Sequence, residues 1–293
     1  MDTFIQQIIN GLVLGSIYAL VALGYTMVYG ILGLINFAHG EVVMIGALTA
    51  LTVIKLLADS GLPGTVVVLI GLLAAVPVCM ALGFAIERIA YRPLRNAPRL
   101  APLITAIGVS IVLQQLAMIF WGRNYHAFPP ILPTSSREIG GAHITDVQIV
   151  IILLAVAIMA GLMLLVNRTR LGRAMRATAE NPQIAGLMGV NINVIISATF
   201  LIGSALAAVA GVMVSANYSI AHYHMGFILG LKAFTAAVLG GIGNLPGAML
   251  GGVLLGLIES LGAGYIGDLT GGFLGSHYQD VFAFFVLILV LVF

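Results

Sequence analysis

Eight long apolar runs dominate this chain and decide what it can fold into. They read Gln6–Tyr29, Glu41–Leu57, Val66–Ile86, Leu103–Trp121, Val147–Val166, Val194–Ala216, Phe227–Leu261 and Val281–Phe293. A helix needs about 20 mostly apolar residues to cross a bilayer. Lipid offers no hydrogen bonds, so a span must satisfy its own backbone as a helix or lie in a closed barrel. The runs are too long and too uniformly apolar for the alternating pattern of barrel strands. Composition agrees: 8% of residues are charged, against about 25% in a soluble domain. The expected fold is therefore all-α, a polytopic integral membrane protein forming one transmembrane domain over residues 1–293.

Two regions resist a single-helix reading. Met27–Gly46 is interrupted by Gly30, Gly33, Asn36, His39, Gly40 and Glu41. The seventh run is too long for one ordinary span and carries Gly240, Gly241, Gly243, Pro246 and Gly247 at its middle. It predicts two short helices or a re-entrant hairpin. The expected total is eight to ten transmembrane or re-entrant helices.

Arginines set the orientation, because short loops rich in Lys and Arg stay in the cytoplasm. Arg88, Arg92, Arg95 and Arg99 follow the third run, and Arg168, Arg170, Arg173 and Arg176 follow the fifth. Both loops are expected inside, the second forming a cytoplasmic segment at about 167–193. The loop between them, about 122–146, is expected outside. Trp121 and Tyr125 suit an outer aromatic belt and Tyr91 an inner one. Counting back in single spans puts the N-terminus outside; a re-entrant segment near Asn36 would reverse it. No basic region precedes a short apolar stretch and cleavage site, so the first span is expected to serve as its own insertion signal.

Several functions are disfavoured. A net charge of +2 does not mark a nucleic-acid binder. The single cysteine, Cys79, can form no internal disulfide and no cysteine-based metal site. No GxxxxGK[ST], HExxH or GxSxG occurs, so the chain offers no phosphate-cradling loop of its own. His222 and His224 have no ligand-spaced partners and read as solvated histidines of an outer loop, and Glu259 reads as interfacial.

Four features carry possible function. In the cytoplasmic segment, Asn181 suits a helix N-cap, Pro182 the first helical position and Gly189 the left-handed position after the C-terminus. Between them Ile184, Leu187 and Met188 share one face. That face either packs on the protein's own helix ends or docks into a partner's groove, with Ala185 expected against the docking surface. Asn36, His39 and Glu41 are polar groups within an apolar stretch. They either satisfy backbone where a helix breaks or line a pathway. Gly243, Gly247 and Gly251 recur every four residues, a ridge for close helix packing, and Gly11 and Gly15 suggest another. Tyr18, Tyr25 and Tyr29 share one helix face, which either packs or lines a pore.

The blocks GYTMVYGILGLINFAHGEVVMIGA, ERIAYRPLR, LGRAMRATAENPQIAGLMGVN and KAFTAAVLGGIGNLPGAMLGG closely resemble the smaller permease of high-affinity branched-chain amino-acid ABC importers. The likeness runs from about Gly11 to the C-terminus. It implies an ABC importer permease of the branched-chain amino acid/ribose type in the cytoplasmic membrane. The implied partners are a second permease subunit, two ATPase subunits and a substrate-binding protein. The resemblance implies no cofactor on this chain, with ATP and Mg on the ATPase subunits. It also matches Glu180, Asn181, Pro182, Ile184, Ala185, Leu187, Met188 and Gly189 to the family's ATPase-docking loop, a loose relative of the EAA motif. Related permeases serve urea, short amides and other small solutes, and the outer loop does not distinguish among these cargoes.

Two other classes stay open on the residues alone. Glycine-broken segments near Asn36 and Gly243, in opposite halves, would suit the midplane site of an ion-coupled secondary transporter. His39 and Glu41 would suit an intramembrane enzyme.

Overall fold

A computed structural model describes residues 2–95, 97–98, 100–129, 136–139, 141–270 and 278–292. Arg99, Phe293 and part of the expected outer loop lie outside them. The first helix, α1 (Asp2–Leu32), forms the centre of the molecule. It is buried without interruption from Val13 to Val28. Glycines permit this: Gly11 and Gly15 of α1 face Gly252 and Gly256 of α10 (Leu245–Leu269). A Cβ on Gly15 would lie 2.7 Å from the Val253 Cα, so only hydrogen fits. Small residues let helix backbones approach in lipid, where packing replaces the hydrophobic effect.

Helix α2 (His39–Leu56) packs antiparallel to α3 (Gly64–Ala85), with Gly71 against Ala50 and Ile54. The Cys79 thiol donates to the Val42 carbonyl at 3.4 Å. α3 continues as a π-helical turn over Ile86–Tyr91 and a tight turn over Arg92–Leu94. α8 (Ile192–Tyr218) completes the inner layer, with Gly211 on the Val43 backbone. α4 (Leu100–Trp121) and α5 (Asp146–Arg168) are peripheral. They expose Ile104, Ile111, Ile119 and Phe120, and Leu153, Val156 and Leu164. So much exposed apolar surface is untenable in water and is what lipid or a neighbouring subunit covers.

The seventh apolar run divides into two helices, α9 (Met225–Leu239) and α10, joined by a tight turn. Gly243 lies in that turn at φ +96°, not on the expected ridge. A residue in that conformation cannot be helical, and glycine adopts it without strain. Gly247 and Gly251 do lie on α10, packed against Gly240 and the Ala236 carbonyl. Among the described residues, seven helices are long and apolar enough to cross a membrane; α9 and α11 (Gln279–Val292) are shorter apolar helices. The total falls within the expected eight to ten. The Met27–Gly46 region also breaks as its sequence suggests, with α1 ending at Leu32 and α2 starting at His39.

Cross-links between loops define two faces. Arg95 donates to Asn193 Oδ1 at 2.6 Å, placing the start of α8 beside the turn after α3. On the opposite face β1 (His126–Ala127) pairs with β4 (Ile220–Ala221). A hairpin of β2 (Ser136–Ile139) and β3 (Ala142–Thr145) precedes α5. Gln6 exchanges two hydrogen bonds with the His143 backbone, at 3.0 and 2.7 Å. The start of α1 therefore lies on the hairpin face, opposite the arginine loops.

Candidate functional site

The Asn36 break is closed by the Asn36 side chain, which stabilises the turn before α2. Asn36 Oδ1 accepts from the Ala38 N–H and from the Tyr91 hydroxyl, each at 3.1 Å. Tyr91 is 1% exposed and packs on Phe200. It is not part of an inner aromatic belt, because its hydroxyl is committed to closing this break.

His39 and Glu41 turn to different helices. The His39 ring occupies the notch left by Gly24 on α1 and meets Tyr25 edge-on, centroids 5.0 Å apart. Glu41 faces α4 instead: its Oε1 accepts from the Ser110 hydroxyl at 3.0 Å and from Gln114 Nε2 at 2.7 Å. The two do not form an acid–base pair. Among the described residues no group of three or more His, Cys, Asp or Glu side chains could hold a metal ion. Ser110 and Gln114 line a cavity of about 450 Å³, with Tyr25, His224 and several apolar side chains.

A second charged cluster was not assembled by sequence reasoning. Lys232 on α9 reaches Glu259 Oε1 on α10 at 2.5 Å and Asp280 Oδ1 on α11 at 2.6 Å. Tyr18 of α1 donates to the same Glu259 oxygen at 3.1 Å. Glu259 is fully buried, so it is not interfacial. The signal was present: opposite charges inside apolar runs must find each other, since an isolated one is expensive in lipid. Tyr18 and Lys232 also border a cavity of about 400 Å³ that reaches Tyr125 and His222 on the hairpin face. There His222 stacks on Tyr125 and lies 3.2 Å from the Arg123 carbonyl. Partial burial lowers its imidazole pKa below the ordinary value.

On the arginine face, Glu87 is buried in the π-helical turn, paired with Arg95 and accepting from Ser197 at 2.8 Å. The next arginine-rich loop folds as two helices, α6 (Arg170–Glu180) and α7 (Pro182–Leu187). Asn181 Oδ1 caps α7 through the Gln183 and Ile184 amides, at 3.0 and 3.1 Å. Gly189 takes the left-handed position at φ +85°, and Val190 N–H closes the end on the Ala185 carbonyl at 3.0 Å. The expected direction of Ala185 is corrected: it is 3% exposed and faces the protein's own body. Ile184, Leu187 and Met188 point away, with Leu187 88% and Met188 80% exposed. Ala185 lies one residue after Ile184 and two before Leu187, so it projects away from the face they share.

Apolar helices that enclose charged clusters, with an apolar knob held out on the arginine side, define the class: a multi-pass membrane transport protein. The chain belongs to the family described as branched-chain amino acid transport system / permease component, whose model matches residues 7–291. It is 50% identical to the high-affinity branched-chain amino acid transport system permease protein BraD of Pseudomonas aeruginosa, over 99% of this chain and 94% of that protein. It is 46% identical to the permease protein LivH of Escherichia coli, over 98% and 92%. A probable LivH of Methanocaldococcus jannaschii is 27% identical over 98% and 90%. As the permease component of a transport system, the chain works with other components.

Proposed function

We propose that this chain is one of two different permease subunits of an ATP-driven importer carrying Leu, Ile and Val across the cytoplasmic membrane. A substrate-binding protein delivers the amino acid outside. Two ATPase subunits bind ATP and Mg inside; this chain binds no cofactor and takes its driving force through the loop at about 167–193. The observation that carries this reading is likeness to BraD and LivH over nearly the whole length of all three chains. The α7 knob supports it, because exposed Ile184, Leu187 and Met188 on a capped, rigid turn need a partner to cover them. A rigid apolar turn suits seating in a groove, the mode by which helices dock through a few anchors.

The test is gentle solubilisation and purification of the tagged chain from native membranes. The expected companions are a second, different permease and an ATPase. Recovery of the chain alone, active in transport without any ATPase, overturns the reading.

A further inference from the structure

Among the described residues three carboxylates are completely buried: Glu41, Glu87 and Glu259. Arg95 neutralises Glu87 and Lys232 neutralises Glu259. Glu41 has no cation among the described residues, and its Oε2 has no hydrogen-bond partner there. Keeping such a group ionised without a cation is costly, so a cation brought beside it would be received favourably.

Glu41 also fixes what its neighbours can offer. The Ser110 hydroxyl and an amide hydrogen of Gln114 both turn back to Glu41 Oε1. Gln114 Nε2 also donates to Ser110 Oγ at 3.5 Å, so what the two side chains have left are lone pairs, on Ser110 Oγ and Gln114 Oε1. Both residues line the cavity of about 450 Å³. That wall is thus biased to accept hydrogen bonds, beside a carboxyl group whose ionised form an arriving cation would favour. Hydrogen bonds from an ionised donor to such acceptors are among the strong ones. The remaining wall is largely apolar, including Ile107, Ile111, Phe227 and Leu231. Tyr25 and His224 line the same space and carry hydrogens that a carboxylate can accept.

We propose that this cavity is a passing station for a zwitterionic amino acid with an aliphatic side chain. Its α-ammonium group lies on Ser110 Oγ and Gln114 Oε1, and its side chain on Ile107, Ile111, Phe227 and Leu231. Ser110 and Gln114 are binding residues; Glu41 is a positioning residue that acts through them. The inference rests on the amino-acid importer reading above and assigns the groups that select the ammonium end. A carboxylic acid without the amine, or a lipid chain, would not satisfy this wall.

The experiment uses the assembled importer in proteoliposomes, with Ile111→Cys in a Cys79→Ser background. Leu231→Cys is the second probe position if the first does not assemble. A cationic methanethiosulfonate is expected to label the cavity at least tenfold faster than an anionic one, and Glu41→Gln to abolish that preference. Leucine is expected to slow labelling, whereas 4-methylpentanoate, the same carbon skeleton without the amine, does not. Gln114→Leu is expected to cut leucine uptake at least tenfold in an importer that still assembles. Equal labelling by both reagents overturns the station, as does equal protection by the two ligands or unaltered uptake by Gln114→Leu. A wild-type importer that takes up no leucine overturns the underlying reading, an arm visible before any variant is made.

Discussion

Lys232 shows how much can depend on one side chain in lipid. It stands between Glu259 and Asp280, and its side chain is only 9% exposed. Removing it as Lys232→Met would strand Glu259, which is fully buried. Breaking a buried ion pair from one side costs about 3–5 kcal/mol, while replacing both partners by apolar residues is often neutral. Lys232→Met is therefore expected to lower the thermal unfolding midpoint of the purified chain sharply, and Lys232→Met with Glu259→Met to recover most of the loss. Equal midpoints for the single and double variants would mean that the pair is not coupled. The cluster was only half legible in the sequence. Lys232 and Glu259 were visible as charges within an apolar run, but their pairing depends on the turn at Gly240–Asn244. That turn folds α9 back onto α10. Glu41 was singled out by its place in an apolar stretch. Its partners Ser110 and Gln114 carry no charge and sit on a largely apolar helix, so nothing local pointed to them.

At the scale of an element, α7 is the clearest case of local chemistry deciding structure. Asn181, Pro182 and Gly189 each act within a few residues, so cap, first turn and stop could all be read from sequence. Which side faces out could not, because that depends on how α7 meets the rest of the chain. The structure separates two roles that the sequence merged. Leu187→Glu places a charge on the exposed knob. It is expected to leave the chain's own stability unchanged and to reduce co-purified ATPase at least tenfold. Ala185→Glu drives a charge into the chain's own packing, where leaving it unpaired costs several kcal/mol, on the order of 1–3 or more. It is expected to lower the unfolding midpoint itself. Thermal unfolding and ATPase recovery, measured on both variants, distinguish them. Full partner retention by Leu187→Glu would remove α7 as the coupling element. The glycines teach the same lesson about range: Gly243, Gly247 and Gly251 form a regular pattern, yet Gly243 belongs to a turn. Gly252 and Gly256, which seat α10 on α1, were hidden in the same glycine-rich stretch.

The whole molecule is a layered bundle whose centre is one glycine-notched helix, α1, with the charges inside the bundle held in enclosed clusters. Its helical class and the opposition of arginine loops to hairpin face follow from hydropathy and arginine placement, which act on every residue of a span. The division of the seventh run into α9 and α10 was legible too, in its local glycines and Pro246, whereas the paired strands on the hairpin face depend on contacts between distant segments. On this reading the permease passes branched-chain amino acids only when ATPase subunits drive it. The most direct measurement is uptake of radiolabelled leucine into proteoliposomes containing the chain, its partner permease, the ATPases and the binding protein. The account predicts accumulation that requires ATP, competition by isoleucine and valine but not by urea, and no uptake by this chain alone. Leucine accumulation by the chain alone under an ion gradient, or ATP-driven uptake of urea with leucine excluded, would contradict it.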